Sequence, residues 1–199
     1  MNKEKIKDKY LTLDEETNAI DYLENAYEFI KKAEYNNWAW KWAILSFYGS
    51  LYSFSIICLS GSDSSNRVLY KTTNGKEKLI SFKEAIKRCQ DPKWMTMTSL
   101  SEVLKLSDKQ KESIRRLNER YRNVFVHYQP MSFIIEIHEM PNIVLDVLEV
   151  IEFLSLKTGN YIYLENKNEK KIKSLIFDCK KVIKQSNLYK EHKIFITKK

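Results

Sequence analysis

The sequence predicts an all-α protein, a helical bundle of four to five long helices with short additional helices. Its 199 residues include only four glycines and three prolines, which are too few for the many tight turns of a β-sandwich or barrel. Hydrophobic residues make up 43% of the chain, enough for a substantial core. In several long segments the apolar residues recur at helical spacing. We therefore predict a single domain over residues 1–199, with its core at about residues 14–158.

Five long segments carry the helical pattern, and capping motifs mark where some helices begin. The long segments cover residues 14–34, 38–59, 107–128, 141–159 and 166–185. Ser107 opens a capping box with Gln110, and Ser81 opens another ahead of a short helix that ends near residue 90. Pro130 is expected to stop the helix that begins after Ser107. The polar residues 61–75 predict a loop, residues 132–140 alternate as an extended segment does, and the helix at about residues 166–185 is strongly basic.

The second helix, at residues 38–59, is apolar nearly all round, which is typical of a central helix or of an oligomer interface. Its length would also span a bilayer. Four serines interrupt it, Ser46, Ser50, Ser53 and Ser55, and no basic cluster flanks it closely. We predict a buried central helix with no membrane contact, and keep membrane insertion as the alternative.

Charge and cysteine content bound the partners and the compartment. The net charge of +8 suits an anionic partner such as RNA, DNA or lipid, although a general enrichment in Lys would give the same charge. The three cysteines are widely spaced and form no CxxC pair, so neither a disulfide framework nor a zinc site is expected. The charged first nine residues lack the apolar stretch of a signal peptide. We expect reduced thiols, a cytoplasmic protein and no cofactor.

Arg122, Asn123 and His127 form the one constellation with a plausible chemistry, near the end of the predicted helix at residues 107–128. Asn123 and His127 are four residues apart and share a face of a helix. Arg122 and His127 are five apart, so their directions differ by about 140°. The pair is therefore not expected to converge easily within one chain. Two copies of the helix that meet about a two-fold axis would bring both pairs to one cleft.

These residue types suit RNA cleavage without a metal. The ribose 2′-hydroxyl attacks the adjacent phosphorus and leaves a 2′,3′-cyclic phosphate. Such a reaction needs a group that moves protons near neutral pH, as His does, and a fixed cation for the phosphoryl oxygens, as Arg provides. A structural alternative remains open: a His at a helix end is favoured by the helix dipole, and Arg122 would then pair with a carboxylate such as Glu119.

The wider sequence resembles the HEPN superfamily of ribonucleases, whose mark is Arg, four to six residues, then His, often with a polar residue such as Asn123 directly after the Arg. The resemblance covers about residues 38–156 and includes the segments 40–46, 48–49, 80–85 and 117–123. It implies a HEPN-like helical bundle that dimerises with both motifs at the interface. It also implies a metal-independent endoribonuclease of the stand-alone type found in bacterial toxin and phage-defence systems.

The resemblance assigns a role to each residue of the motif. His127 would be the general base or acid, Arg122 would hold the scissile phosphate, and Asn123 would orient them. Some related toxins carry His-x-Tyr, whose Tyr is modified by an antitoxin, but here Tyr128 follows His127 directly, so that route of control is not expected. Further RNA contacts are predicted for four residues near the motif, namely Arg115, Arg116, Glu119 and Tyr128.

The lysines of the last helix and the aromatic residues of the second helix each allow two interpretations. The lysines of the last helix would follow an RNA backbone or simply face solvent, and the tyrosines and tryptophans of the second helix would stack bases or pack in the core. His138 is followed by Glu139 but has no third residue at ligand spacing, so no metal site is expected. The expected partners are an RNA substrate, a second copy of the chain, and an antitoxin or defence-system protein.

Two other classes of function remain alternatives. The domain would be a non-catalytic helical module that dimerises or binds a partner, or an immunity or antitoxin protein that binds RNA or a toxin through its basic face. Retention of both Arg122 and His127 favours the nuclease.

Overall fold

Helices make up most of the computed structural model, which describes residues 10–11, 13–61, 67–127, 130, 132–161 and 164–197, without the side chains of 195–197. The helices are α1 (Glu15–Lys32), α2 (Ala39–Ser60), α3 (Phe82–Cys89), α4 (Pro92–Met95), α5 (Asp108–Arg115), α6 (Asn123–Val126), α7 (Met140–Leu156), α8 (Asn166–Gln185) and α9 (Asn187–Thr197). A π-helical segment, Arg116–Arg122, joins α5 to α6. Strands β1 (Leu69–Lys71) and β2 (Glu77–Leu79) pair antiparallel, with Tyr70 opposite Lys78.

Four long helices enclose the core in a closed arrangement. Helix α1 packs on α2, α2 on α7, α7 on α8, and α8 returns to α1. Outside this bundle, α5 packs on α7, and α3 and the π-helical segment pack on α2. The predicted all-α bundle of four to five long helices with short additional ones is confirmed, with the run from Asp108 to Val126 as the fifth long element.

Helix α2 is the centre of the bundle. Its fully buried side chains include Ile44, Phe47, Leu51 and Phe54 along one face and Leu59 about 140° round the helix from Phe54. It is the one helix among the described residues that is long and apolar enough to cross a membrane, and 67% of its most apolar window is buried inside the protein. Burial of this kind is what the core helix of a bundle shows.

Local sequence signals explain where several helices begin. The Asp14 side chain accepts from the Thr17 N–H at 2.7 Å, and the Thr17 hydroxyl accepts from the Asp14 N–H, which closes a capping box at α1. The predicted box at Ser107 is present, since Ser107 and Gln110 exchange side-chain and backbone hydrogen bonds. These bonds satisfy backbone donors that the first turn of a helix leaves without partners.

The structure differs from the sequence prediction at three places. The predicted loop at 61–75 holds strand β1, and its Asn74-Gly75 turn, with Gly75 at φ 73°, connects β1 to β2. Residues 132–137 form no regular strand. Helix α9 was not predicted. The apolar side of α8, with Ile172, Ile176, Cys179 and Ile183, is buried in the core.

The three cysteines provide a test of this core. Cys58, Cys89 and Cys179 are free and buried, and burial raises the pKa of Cys58 and Cys179 to about 12 each and that of Cys89 well above its usual range. Because the thiolate is the reactive form, we expect folded protein at pH 8 to react with a thiol reagent at least about 100-fold more slowly than free cysteine. Denatured protein should react at three sites. Rapid reaction of any thiol in the folded state would contradict this packing.

Candidate active site

The helical run from Asp108 to Val126 is anchored to α7 by a buried carboxylate. Asp146 of α7 is 5% exposed. Its carboxylate accepts a hydrogen bond of 2.6 Å from the Ser113 hydroxyl and forms an ion pair with Lys109 at 2.8 Å. Hydrogen bonds to a charged group are among the stronger ones in proteins, so α5 and the residues that follow it are held firmly against the bundle.

The middle of this run is π-helical rather than α-helical. The Asn123 N–H bonds to the Asn118 carbonyl, five residues earlier, where an α-helix bonds to the fourth. Leu117 and Tyr121 of this segment are fully buried and attach it to the core. Short π-helical insertions are frequent at functional sites, and this one ends at Arg122.

The helix ends four residues after Arg122, and His127 begins the turn that follows. Helix α6 stops at Val126, and His127 has φ −107° and ψ 64°, outside the helical range. Its N–H still bonds to the Asn123 carbonyl at 2.8 Å. Pro130 follows three residues later, and a proline disfavours helix before it. The predicted helix end at Tyr128 lies outside the described residues.

Arg122, Asn123 and His127 meet within one chain. Arg122 Nη1 is 3.1 Å from Asn123 Oδ1 and 3.3 Å from His127 Nε2. The expectation that Arg122 and His127 do not converge easily in one chain is therefore wrong. It assumed an ideal helix through residue 127, whereas His127 has left the helix and the long Arg122 side chain reaches back to it.

The contact has a defined hydrogen-bond direction. A guanidinium has only donors, so Nε2 of the exposed His127 is the acceptor. Arg122 is half-buried, so the site combines a held cation with an accessible base.

The floor of the site is an aromatic cluster that sequence reasoning did not connect to the motif. The Arg122 guanidinium carbon lies 5.1 Å from the ring centre of Tyr48 on α2. The Tyr48 ring in turn contacts Phe82 of α3, with 4.6 Å between ring centres. Burial raises the pKa of Tyr48 against the opposing effect of Arg122, so its hydroxyl stays protonated. Tyr48 and Tyr52 are four residues apart in the sequence of α2, but no local pattern relates either of them to Arg122.

The Tyr48 ring provides a test of how Arg122 is held. We expect Tyr48→Ala to lower the rate of the RNA cleavage expected at this site by about 3- to 30-fold, which corresponds to the free energy of a partly desolvated cation–π contact. Tyr48→Phe keeps the ring face and should stay within about twofold of the unchanged protein, since the aromatic face makes the contact. Steady-state rates of both variants check this, and equal losses in the two would contradict the contact.

Arg122 also closes one end of a groove of about 600 Å³ between α1, α2 and the β-hairpin. Three tyrosines line it, Tyr22, Tyr48 and Tyr52. The Tyr52 hydroxyl donates to the Ile80 carbonyl, which ties the hairpin end to α2. A concave, aromatic site with a few polar groups is typical of ligand binding.

The structure places the other predicted RNA-binding residues in ion pairs away from this groove. Arg115 pairs with Glu112 at 2.7 Å and with Glu119 at 3.4 Å. Lys83 of α3 also pairs with Glu119 and lowers the pKa of that carboxyl. Arg116 pairs with Glu139. Tyr128, the fourth of these residues, lies outside the described part of the chain.

The lysines of α8 are partly engaged as well. Lys171 pairs with Glu24 of α1 at 2.7 Å, Lys173 with Glu169, and Lys180 with Glu152 of α7. The pairs with Glu24 and Glu152 join α8 to its neighbours in the bundle, the pair with Glu169 lies within α8, and all three reduce the free positive charge of this face.

The remaining two histidines lie together, His138 just before α7 and His192 on α9. His138 Nδ1 is 3.0 Å from a Glu136 carboxylate oxygen, and its ring centre is 5.2 Å from that of His192 on α9. Within the described part of the chain, no three His, Cys, Asp or Glu side chains are grouped as ligands for a metal ion.

Comparison with known proteins found no relatives. No protein-family model matches the chain, and no curated protein or solved structure matches it either.

Proposed function

We propose that the protein is a metal-independent endoribonuclease that cleaves RNA through attack of the ribose 2′-hydroxyl. The observation that carries the proposal is the 3.3 Å contact between Arg122 Nη1 and His127 Nε2. A cation that can bind a phosphate and a base that can take a proton stand side by side at an exposed helix end. The resemblance of residues 38–156 to HEPN ribonucleases supports the same reading.

Substrate binding would exchange the partners of Arg122. A phosphate is a stronger acceptor for a guanidinium than an imidazole nitrogen is, because it carries a negative charge and can accept two parallel N–H bonds from the planar group. When the guanidinium turns to the scissile phosphate, Nε2 of His127 is released. The base is therefore freed at the moment the phosphate is bound, and Asn123 keeps a second contact on Arg122.

The reaction then proceeds at the freed nitrogen. The 2′-hydroxyl gives its proton to Nε2, the 2′-oxygen bonds to phosphorus, and the bond from phosphorus to the 5′-oxygen breaks. The 5′-oxygen takes a proton from water, and the hydroxide so formed takes the proton from Nε2, which restores His127 and leaves a 2′,3′-cyclic phosphate and a 5′-hydroxyl. Arg122 stabilises the negative charge that grows on the phosphoryl oxygens.

The proposal is tested with two matched oligonucleotides. Purified protein in EDTA is expected to cut an all-RNA oligonucleotide and to leave the same sequence intact when every ribose lacks its 2′-hydroxyl. Equal cutting of both, or no cutting of RNA by partner-free protein, would contradict the proposal and favour a non-catalytic binding module.

We also propose that the enzyme is a homodimer whose sites each use Arg122 and His127 of the same chain. Because the pair meets within one chain, a mixture of Arg122→Ala and His127→Ala proteins, denatured and refolded together, should remain inactive. If each site took Arg122 from one chain and His127 from the other, about a quarter of the unchanged activity would return, since half the dimers would be mixed and each would hold one intact site.

The biological role that fits this activity is a cytoplasmic toxin or defence effector, controlled by an antitoxin or another defence-system protein. Expression of the unchanged chain is expected to slow bacterial growth, whereas His127→Ala at the same protein level should not. Equal toxicity of the two proteins would contradict a role based on RNA cleavage.

A further inference from the structure

The groove beside Arg122 has a different chemical character at each end. Its α2 lining runs from Leu45 to Ile56, which is about 16 Å at the helical rise per residue. Arg122 lies over Tyr48, toward the Leu45 end, and Glu15 lies one turn before Asn18, which bonds to Ser53 toward the Ile56 end. A cation at one end and a carboxylate at the other match a ligand that is anionic on one side and carries N–H donors on the other.

An aromatic ring lies between the two ends. Tyr22 of α1 covers Gly49 of α2 so closely that a Cβ at Gly49 would lie 2.5 Å from the ring. The glycine therefore sets the depth at which this ring rests. Tyr22 is nevertheless 37% exposed, so it offers an accessible surface within the groove. Aromatic rings of this kind stack on nucleobases.

Polar groups beyond Tyr22 are positioned for a base edge. Asn18, one turn before Tyr22 on α1, is half-buried, and its Nδ2 donates to Ser53 Oγ at 3.0 Å. That bond fixes the amide and leaves Oδ1 as an acceptor. Glu15 lies one further turn along the same face and adds two carboxylate oxygens. Such oxygens accept from the N–H groups of a base.

We propose that this groove is the base-binding subsite of the ribonuclease, with a preference for guanine over uracil. The inference rests on the proposed function: Arg122 would hold the scissile phosphate, and the base of the adjoining nucleotide would stack on Tyr22. Guanine presents adjacent N1–H and N2–H donors, which suit a carboxylate such as Glu15. Uracil presents one N–H between two carbonyl oxygens, which the carboxylate repels.

Binding of mononucleotides tests the subsite without any reaction. By calorimetry on the folded full-length chain, guanosine 3′-monophosphate should bind more tightly than uridine 3′-monophosphate, and inorganic phosphate should bind weakest. Tyr22→Leu, which keeps an apolar cover on Gly49 but loses the ring, should weaken guanosine 3′-monophosphate binding by about 10-fold or more. Tyr35→Leu is the matched control, since Tyr35 is 79% exposed and does not line the groove.

Two further variants address the ring position and the base preference. Gly49→Ala keeps Tyr22 but must displace its ring, so it should weaken binding as Tyr22→Leu does. Glu15→Gln should bring the affinities for the guanine and uracil nucleotides within about twofold of each other, because an amide both donates and accepts. Unchanged affinities in Tyr22→Leu or an unchanged base preference in Glu15→Gln would overturn the subsite.

Cleavage assays separate this inference from the proposed function. If RNA is cut in EDTA next to every base equally, and Tyr22→Leu cuts with the same pattern, the proposed subsite is contradicted and the proposed ribonuclease activity is supported. If guanosine 3′-monophosphate binds as described but no RNA is cut, the ribonuclease is wrong and the groove is a nucleotide site. If the unchanged protein cuts next to guanine and Tyr22→Leu cuts next to every base equally, both the ribonuclease and the subsite are supported.

Discussion

Replacement of His127 with Ala is expected to lower the rate of RNA cleavage by at least about 100-fold, the usual contribution of a positioned proton-transfer group. Arg122→Ala should cause a similar loss, because the charge on the phosphoryl oxygens would then lack its cation. Both residues lie at the end of the helix and Val126 between them is 48% exposed, so neither change should unfold the protein. Circular dichroism and thermal unfolding of the variants check that the fold is retained.

Matched variants make this prediction specific. His138→Ala removes a histidine that contacts Glu136 and His192, and Arg120→Ala removes an exposed arginine with two weak ion pairs at 3.9 Å. Both should cleave RNA within about threefold of the unchanged protein, since exposed pairs contribute little. Arg122→Lys should recover only part of the activity, because an ammonium cannot present the planar donors of a guanidinium. Full activity of His127→Ala would refute the assignment.

The second large effect concerns the residue that attaches the site to the core. Tyr121 is fully buried and is the largest such side chain among the described residues, with its ring 6.4 Å from that of Phe125. Tyr121→Ala would leave a large cavity beneath the π-helical segment. We expect it to lower the free energy of unfolding by about 3–5 kcal/mol, as measured by urea denaturation, and to reduce cleavage because Arg122 and His127 lose their support.

Tyr121→Phe is the control for that loss. The Tyr121 hydroxyl lies 3.5 Å from the Glu136 carbonyl, at the limit of a hydrogen bond, so its removal should cost about 1 kcal/mol or less. A loss in Tyr121→Phe as large as in Tyr121→Ala would mean that the hydroxyl, rather than the ring in the core, holds the segment.

Local patterns predicted the helices well, because each depends on residues close in sequence. The periodic apolar residues and the capping box at Ser107 determine α5 without reference to the rest of the chain. The last predicted helix, at residues 166–185, matches α8 as observed. The β-hairpin was missed although Asn74-Gly75 is a strong turn signal, because its strands are only three residues each and are largely exposed.

The motif residues were visible in the sequence, but their arrangement was not. Spacing identified Arg122, Asn123 and His127, yet the angle between them was taken from an ideal helix. The π-helical segment and the turn at His127 change that geometry. The π-helical segment has no clear local signal, and Pro130 marks the end of the helix only to within a few residues. The partners of Arg122 depend on contacts between distant parts of the chain, such as Tyr48 of α2 with the end of α6, which periodicity cannot reveal.

The chemical nature of the cut ends tests the central claim most directly. RNA incubated with purified protein in EDTA is digested to completion, and the new termini are identified by mass spectrometry. Attack by the 2′-hydroxyl predicts a 2′,3′-cyclic phosphate on one fragment and a 5′-hydroxyl on the other, with neither formed by His127→Ala protein. Fragments with 3′-hydroxyl and 5′-phosphate ends, or RNA left intact, would contradict a cleavage site built from Arg122 and His127.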